Sequence, residues 1–159
     1  MHDCANSINT PSARAAHYGP VMAITRDNPA ELHPTPGYHH VTRVRASELV
    51  FLAGQCPVDA DGSTVGADGE LADRLAAQVS TVAANVAAAL ASTGLGPADV
   101  VRTVLYVASD DRAVLGRVWG LFAASPIAEA FTTASTLLGV AQLGFPDQLI
   151  ELDVTAAVS

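Results

Sequence analysis

Few side chains in this 159-residue chain are suited to chemistry, and they are scattered along it. His33, His39 and His40 lie together in LHPTPGYHH, residues 32–40. His39 and His40 are adjacent, so in an extended strand they point to opposite faces and do not readily share a metal. With His33 they could make a site; the plainer reading is a polar loop of turn chemistry leading into the first strand. Of the cysteines Cys4 and Cys56, one lies in a tail-like segment and the other beside a strand, which argues against a structural disulfide. Cys56 has no sequence-local partner that would activate it and reads as a small buried hydrophobe. Glu151 and Asp153 alternate with Ile150, Leu152 and Val154 in the last strand-like run, which places both carboxylates on one face.

Familiar cofactor and catalytic motifs are missing. The chain has no GxxxxGK[ST], no GxGxxG after a strand, no CxxC and no HExxH, so neither cofactor nor metal is expected. No GxSxG elbow supports a serine triad. There is no lysine, and eight arginines face sixteen acids for a net charge of −8. Nucleic-acid binding draws most of its affinity from neutralised phosphates, so no nucleic-acid partner is expected. No uninterrupted apolar run reaches the roughly 20 residues of a membrane helix, and the polar N-terminus lacks the apolar stretch of a signal peptide. The expected setting is cytoplasmic, away from the membrane.

The elements that must position these residues follow from periodicity. Half of the residues are hydrophobic and 15% are charged, which suits one domain with a proper core. Residues 1–30 show no sustained period and read as a partly ordered extension, leaving a domain over 31–159. VTRVR and LVFLA, between Val41 and Ala53, suggest an antiparallel hairpin, followed by a long Gly- and Asp-rich loop. Leu71, Leu75, Val79, Val82, Val86 and Leu90 mark one face of a helix of about six turns, with Asp68 as a candidate cap and Gly94 as its stop. VVRTVLYVA at 100–108 is a β-branched strand. Asp110 or Asp111 caps a second helix that buries Val114, Leu115, Val118, Leu121 and Phe122. Strands over 131–141 and 149–158 complete the order β-β-α-β-α-β-β. The fold class is therefore α+β, a mixed sheet with two helices on one face. The other face is too apolar for water and argues for packing against another copy of the chain.

The stretch from Gly37 to the C-terminus resembles the Rid family of small trimeric proteins, also called the YjgF or enamine/imine deaminase family. Its landmarks here are Gly37-Tyr38, ELVFLAGQCPVDADG at 48–62, and Gln78 and Asn85 on the first helix. DVVRTVLYV at 99–107, LLGVAQLG at 137–144 and LIELDVTAAV at 149–158 complete them. The resemblance implies a chorismate-mutase-like fold and a homotrimer with pockets between subunits. Deaminating members hydrolyse 2-iminoacids or their enamine tautomers; an arginine holds the substrate carboxylate and a glutamate positions the attacking water.

Carried over by residue, the resemblance makes Glu151 the water-positioning carboxylate and Tyr38 the pocket tyrosine. Gly54 and Gln55 form the Gly-Gln turn, with Ala53 where a serine is usual. Trp119, Ser135 and Leu137 join Tyr38, Ala53 and Gly54 as the candidate ligand-binding set. Ser135 falls where the family has its arginine, and Gly116 where it has a pocket asparagine. Serine cannot reproduce a bidentate arginine–carboxylate contact. The sequence thus resembles arginine-less branches of the family, and general 2-iminoacid deamination is not expected. The expected activity is imine- or enamine-type hydrolysis of a small neutral or cationic molecule, with Glu151 as acid/base or water-holder. A binding or regulatory trimer without turnover is the alternative, and a ribonuclease is disfavoured by the charge.

Overall fold

The computed structural model describes residues 24–158. Cys4 and most of the expected N-terminal extension lie outside the described residues. The last part of that extension forms a strand, β1 (Ile24–Asp27), antiparallel to β2 (Val41–Val44) with Ile24 opposite Val44. The hairpin expected between 41 and 53 is not made. Instead, residues 45–47 carry the chain to a second sheet, where β3 (Glu48–Phe51) pairs antiparallel with the C-terminal strand β6 (Ile150–Val158), Glu48 opposite Val158. Val50 and Leu52 then pack against the core, an apolar contact that a free hairpin would not provide.

The main sheet has four strands in the order β3-β6-β4-β5. β4 (Val100–Val107) is antiparallel to β6 and parallel to β5 (Ala134–Gly139), which makes the sheet mixed, as expected. A parallel neighbour needs a crossover, and α2 (Arg112–Ala123) supplies it. Asp111 caps α2, its Oδ1 accepting from the Ala113 N–H at 2.8 Å. Phe131, expected in a strand, is in a 3₁₀ turn (Ala128–Thr132) whose burial stacks its ring on Phe122 at 5.0 Å.

α1 (Leu71–Ser92) buries the predicted stripe of Leu75, Val79, Val82, Val86 and Leu90. The expected Asp68 cap is not used; the chain turns at Gly69 and the helix starts from Glu70, whose backbone carbonyl takes the Arg74 N–H at 3.0 Å. Gly94, at φ +78°, ends the helix in a Schellman motif, with its own N–H on the Ala91 carbonyl and the Leu95 N–H on the Leu90 carbonyl. By length and composition alone α1 is apolar enough to cross a membrane, contrary to the count of uninterrupted apolar runs. In this fold it is the core helix, packed on β6 and α2.

Both helices lie on one face of the main sheet. Ile150, Leu152, Val154 and Ala156 of β6 and Leu105 and Val107 of β4 point into that core. The opposite face, carrying Leu49, Phe51, Tyr106, Leu138, Glu151 and Asp153 by strand alternation, has no covering helix among the described residues. Phe51 is 73% exposed there, a cost that a free monomer would bear in full.

Candidate functional site

The predicted site residues fall into two groups on opposite faces of one sheet. Ser135 is opposite Thr103 on β4, whereas Glu151 is opposite Tyr106. Thr103 and Tyr106 are an odd number of residues apart, so Ser135 faces the helices and Glu151 faces the open side. Within one chain the two cannot meet.

The first group lines a cleft of about 410 Å³ between β5, α2 and the loop before β2, formed by Pro36, Tyr38, Gly116, Trp119, Ser135 and Leu137. Four predicted residues (Tyr38, Trp119, Ser135 and Leu137) thus come together. The loop is fixed from several sides. The His40 N–H donates to Asn28 Oδ1 at 2.9 Å, and the His39 N–H to the Thr133 carbonyl at 3.3 Å. Gly37 turns the chain at φ +110°, a conformation that favours glycine. Tyr38 then stands edge-on to Trp119 at 6.0 Å, and Trp119 edge-on to Phe131 at 5.4 Å, so the aromatic wall is continuous with the core. A Cβ at Gly116 would meet nothing within 4 Å, which leaves that side of the cleft open.

Ser135 is fully occupied. Its hydroxyl accepts from Thr103 Oγ1 at 2.7 Å and donates to the Thr133 carbonyl at 3.1 Å. No base is among these partners, so nothing activates it as a nucleophile. Nor are the histidines gathered as ligands: His39 Nδ1 bonds the Thr132 carbonyl, His40 Nε2 bonds the His33 carbonyl at 2.9 Å, and His33 Nε2 meets Tyr38 Oη at 3.2 Å. No group of three potential metal ligands occurs among the described residues.

The second group is built around Glu151. Reciprocal bonds between Gln55 and Leu152, at 2.9 and 3.1 Å, hold residues 53–55 alongside β6. Ala53 is exposed there, and Gly54 lies directly against the carboxylate. The amide of Gln148, only 4% exposed, accepts from the Phe145 N–H at 2.9 Å and donates to Glu151 Oε2 at 3.0 Å and the Ile150 carbonyl at 3.1 Å. Gln78, fully buried on α1, fixes the preceding turn through the Asp147 carbonyl at 2.9 Å and the Leu149 N–H at 2.8 Å. Asn85 donates to the Cys56 and Val58 carbonyls at 3.0 and 3.1 Å. Two glutamines and an asparagine thus set the loops that flank the carboxylate.

Next along the face, Tyr106 Oη donates to Asp153 at 3.2 Å. Burial and the adjacent Asp153 carboxylate push the Tyr106 phenol above its ordinary range. Burial, then the Glu151 charge, push the Cys56 thiol to about 11, so it is a protonated, unreactive neighbour of the site. Sequence reasoning missed Gln148 and Pro36. Only the turn before β6 and the loop before Tyr38 reveal their roles, and neither belongs to a motif with its own spacing.

A two-layer α+β fold, with a mixed sheet and a carboxylate on its uncovered face, defines the class. The family model described as endoribonuclease L-PSP matches residues 29–158. A Yersinia pestis protein of unknown function from the conserved Rid family, YyfB, is 30% identical with a TM-score of 0.72, over 86% of this chain and 100% of that one. A Mycobacterium tuberculosis member of the YjgF/YER057c/UK114 family (24% identity, TM-score 0.53, 86% and 100% covered) and a Thermotoga maritima putative endoribonuclease (22%, 0.59, 89% and 99%) share the fold. No curated protein matches the chain. The chain belongs to the Rid family.

Proposed function

We propose that this protein is a homotrimer that joins the cleft of one subunit to the Glu151 face of the next, and hydrolyses a small imine or enamine there. The observation that carries this reading is the placement of Ser135 and Glu151 on opposite faces of one sheet. Each face holds half of a site, and the half with the carboxylate lies on a surface exposing Leu49, Phe51 and Leu138. Apposition of two copies covers that surface and completes the pocket.

In this pocket Glu151, held by Gln148, takes a proton from water as the water oxygen bonds to the imine carbon and the C=N bond becomes a C–N single bond. That proton passes to nitrogen; as the C–N bond breaks and the C=O bond forms, the hydroxyl proton follows it, giving an amine and a carbonyl group. Ser135 brings no positive charge to a carboxylate on the reacting carbon, so 2-iminoacids are poor substrates and imines without that group are favoured. The test is turnover of a cyclic imine by wild type, by Glu151→Gln, and by a mixture of Glu151→Gln with Gly116→Trp subunits. Each variant alone should be inactive, and mixing should restore a fraction of activity by creating sites with both halves intact. Failure of mixed, exchanged subunits to regain activity would refute a site shared between copies.

The second reading is a trimer that binds without turnover. It is favoured by the cleft half, where no base and no charged side chain lines the wall. Binding of an imine with no acceleration of its hydrolysis would select it.

A further inference from the structure

We propose that the edge of β5 carries a carboxylate-binding subsite centred on Arg102, so that the cleft takes an apolar or aromatic body with a carboxylate held several bonds away from it. A second cleft, of about 390 Å³, lies beside the first and shares Tyr38 and Ser135 with it. Its lining includes Arg102, His33 and His40 and contains no aspartate or glutamate. Such a cleft is unusual in a chain of net charge −8. Among the described residues Arg102 makes no ion pair with a carboxylate. Asp153, on the same face of the sheet, is opposite Val104 and accepts from Tyr106.

The two clefts differ in what they accept. The first offers Trp119, Pro36 and Leu137 to an apolar group. The second offers a guanidinium, whose fork matches a carboxylate in two parallel hydrogen bonds. His40 Nε2 faces a carbonyl oxygen, so that nitrogen carries a hydrogen and the ring is held in place as a wall of the cleft. The anion is therefore held around the β5 edge from Ser135, not beside the reacting carbon. This builds on the cleft half of the proposed site and does not depend on turnover.

Trp119 is the only tryptophan and lines the apolar cleft, so its fluorescence reports occupancy. The full chain is titrated with 4-phenylbutanoate, 4-phenylbutanol and 4-phenylbutylamine, three probes of one shape and different charge. The acid should bind about tenfold or more tightly than the alcohol or the amine, the effect of a charged hydrogen bond. Arg102→Gln should remove that advantage while leaving the alcohol unchanged, and Arg102→Lys should keep part of it. Raised salt should weaken the acid and not the alcohol in wild type, which tests the charge without any variant. Equal binding of the three probes, or an acid affinity indifferent to both Arg102→Gln and salt, would overturn the proposal. Cyclic-imine turnover by the wild-type protein is measured alongside, so failure of the shared catalytic site and failure of this subsite are read separately.

Discussion

The Glu151 carboxylate occupies the space that a side chain on Gly54 would need: Oε1 lies well inside contact distance of a Cβ at Gly54. Asp153 Oδ1 is next nearest, at 3.2 Å. The glycine is thus required by close approach and not by backbone conformation. Gly54→Ala should push the carboxylate off Gln148 while the fold persists. Imine turnover should fall nearly as far as in Glu151→Gln, and stability by about 1 kcal/mol, since the far end of a flexible side chain can yield. Kinetics and thermal melting of the two variants side by side check this; an alanine variant with full turnover would show that the contact is incidental.

Assembly is tested through Phe51, on the uncovered face. Light scattering at micromolar concentration should give three times the chain mass for wild type and a monomer for Phe51→Glu, because the substitution places a charge from each subunit into a desolvated contact. Far-UV circular dichroism should be unchanged, the side chain being largely exposed in the single chain. A clean wild-type monomer would remove the shared site altogether.

Much of this architecture was legible in the sequence. The helix stripe from Leu75 to Leu90, the stop at Gly94, the Asp111 cap and the alternation of the last strand each depend on residues within a turn or two of one another; Leu71, expected on the stripe, is exposed. β1 was not legible, because ITRD is only four residues long and is recognised as a strand through its pairing with Val41–Val44. The false hairpin had the same origin: two apolar runs a few residues apart suit a hairpin, but β3 gains more by pairing with β6 over the core. The candidate residues came without their sides, since a strand's alternation gives relative facing and only register with β4 gives the face. Gln148 escaped because its work is done through a turn.

The Cys56 thiol gives a pH-dependent test. Its raised value of about 11 predicts slow alkylation by iodoacetamide at neutral pH, with the rate climbing as pH approaches 11. The native state holds this proton more tightly than the unfolded chain, whose thiol titrates near its ordinary value of 9.0. The stabilisation is therefore complete below about pH 9 and is lost as pH rises toward 11. Because the Glu151 charge is the second cause, Glu151→Gln should move the midpoint down. Mass spectrometry of the Cys56 peptide reads this separately from Cys4; rapid modification at pH 7 would contradict the protonated thiol.

The family name carries the word endoribonuclease, and the charge argues against that activity here. With no lysine and a net charge of −8, the chain should neither retain nor cleave RNA near physiological salt. A salt-sensitive gel shift at micromolar protein, or cleavage that disappears in Glu151→Gln, would reverse this.

Ser135 offers the sharpest comparison, because one substitution brings back the missing charge. Wild type should hydrolyse 2-iminoacids made from leucine or serine no faster than buffer does. Ser135→Arg places a guanidinium at the wall of the 410 Å³ cleft, beside the open space at Gly116. The cost is local. Thr103, fully buried, donates to Ser135 Oγ at 2.7 Å and would lose its acceptor. An unsatisfied buried hydroxyl costs about 1–3 kcal/mol, which a domain of ordinary stability survives. The variant should therefore fold with a lowered melting temperature and gain measurable 2-iminoacid hydrolysis, and that gain should vanish in Ser135→Arg combined with Glu151→Gln. Rapid 2-iminoacid hydrolysis by wild type would mean that the anchor already stands elsewhere, Arg102 being the first to test. If Ser135→Arg folds and stays inactive while wild type turns over other imines, the arginine alone does not set substrate choice, and the opening at Gly116 becomes the determinant to fill.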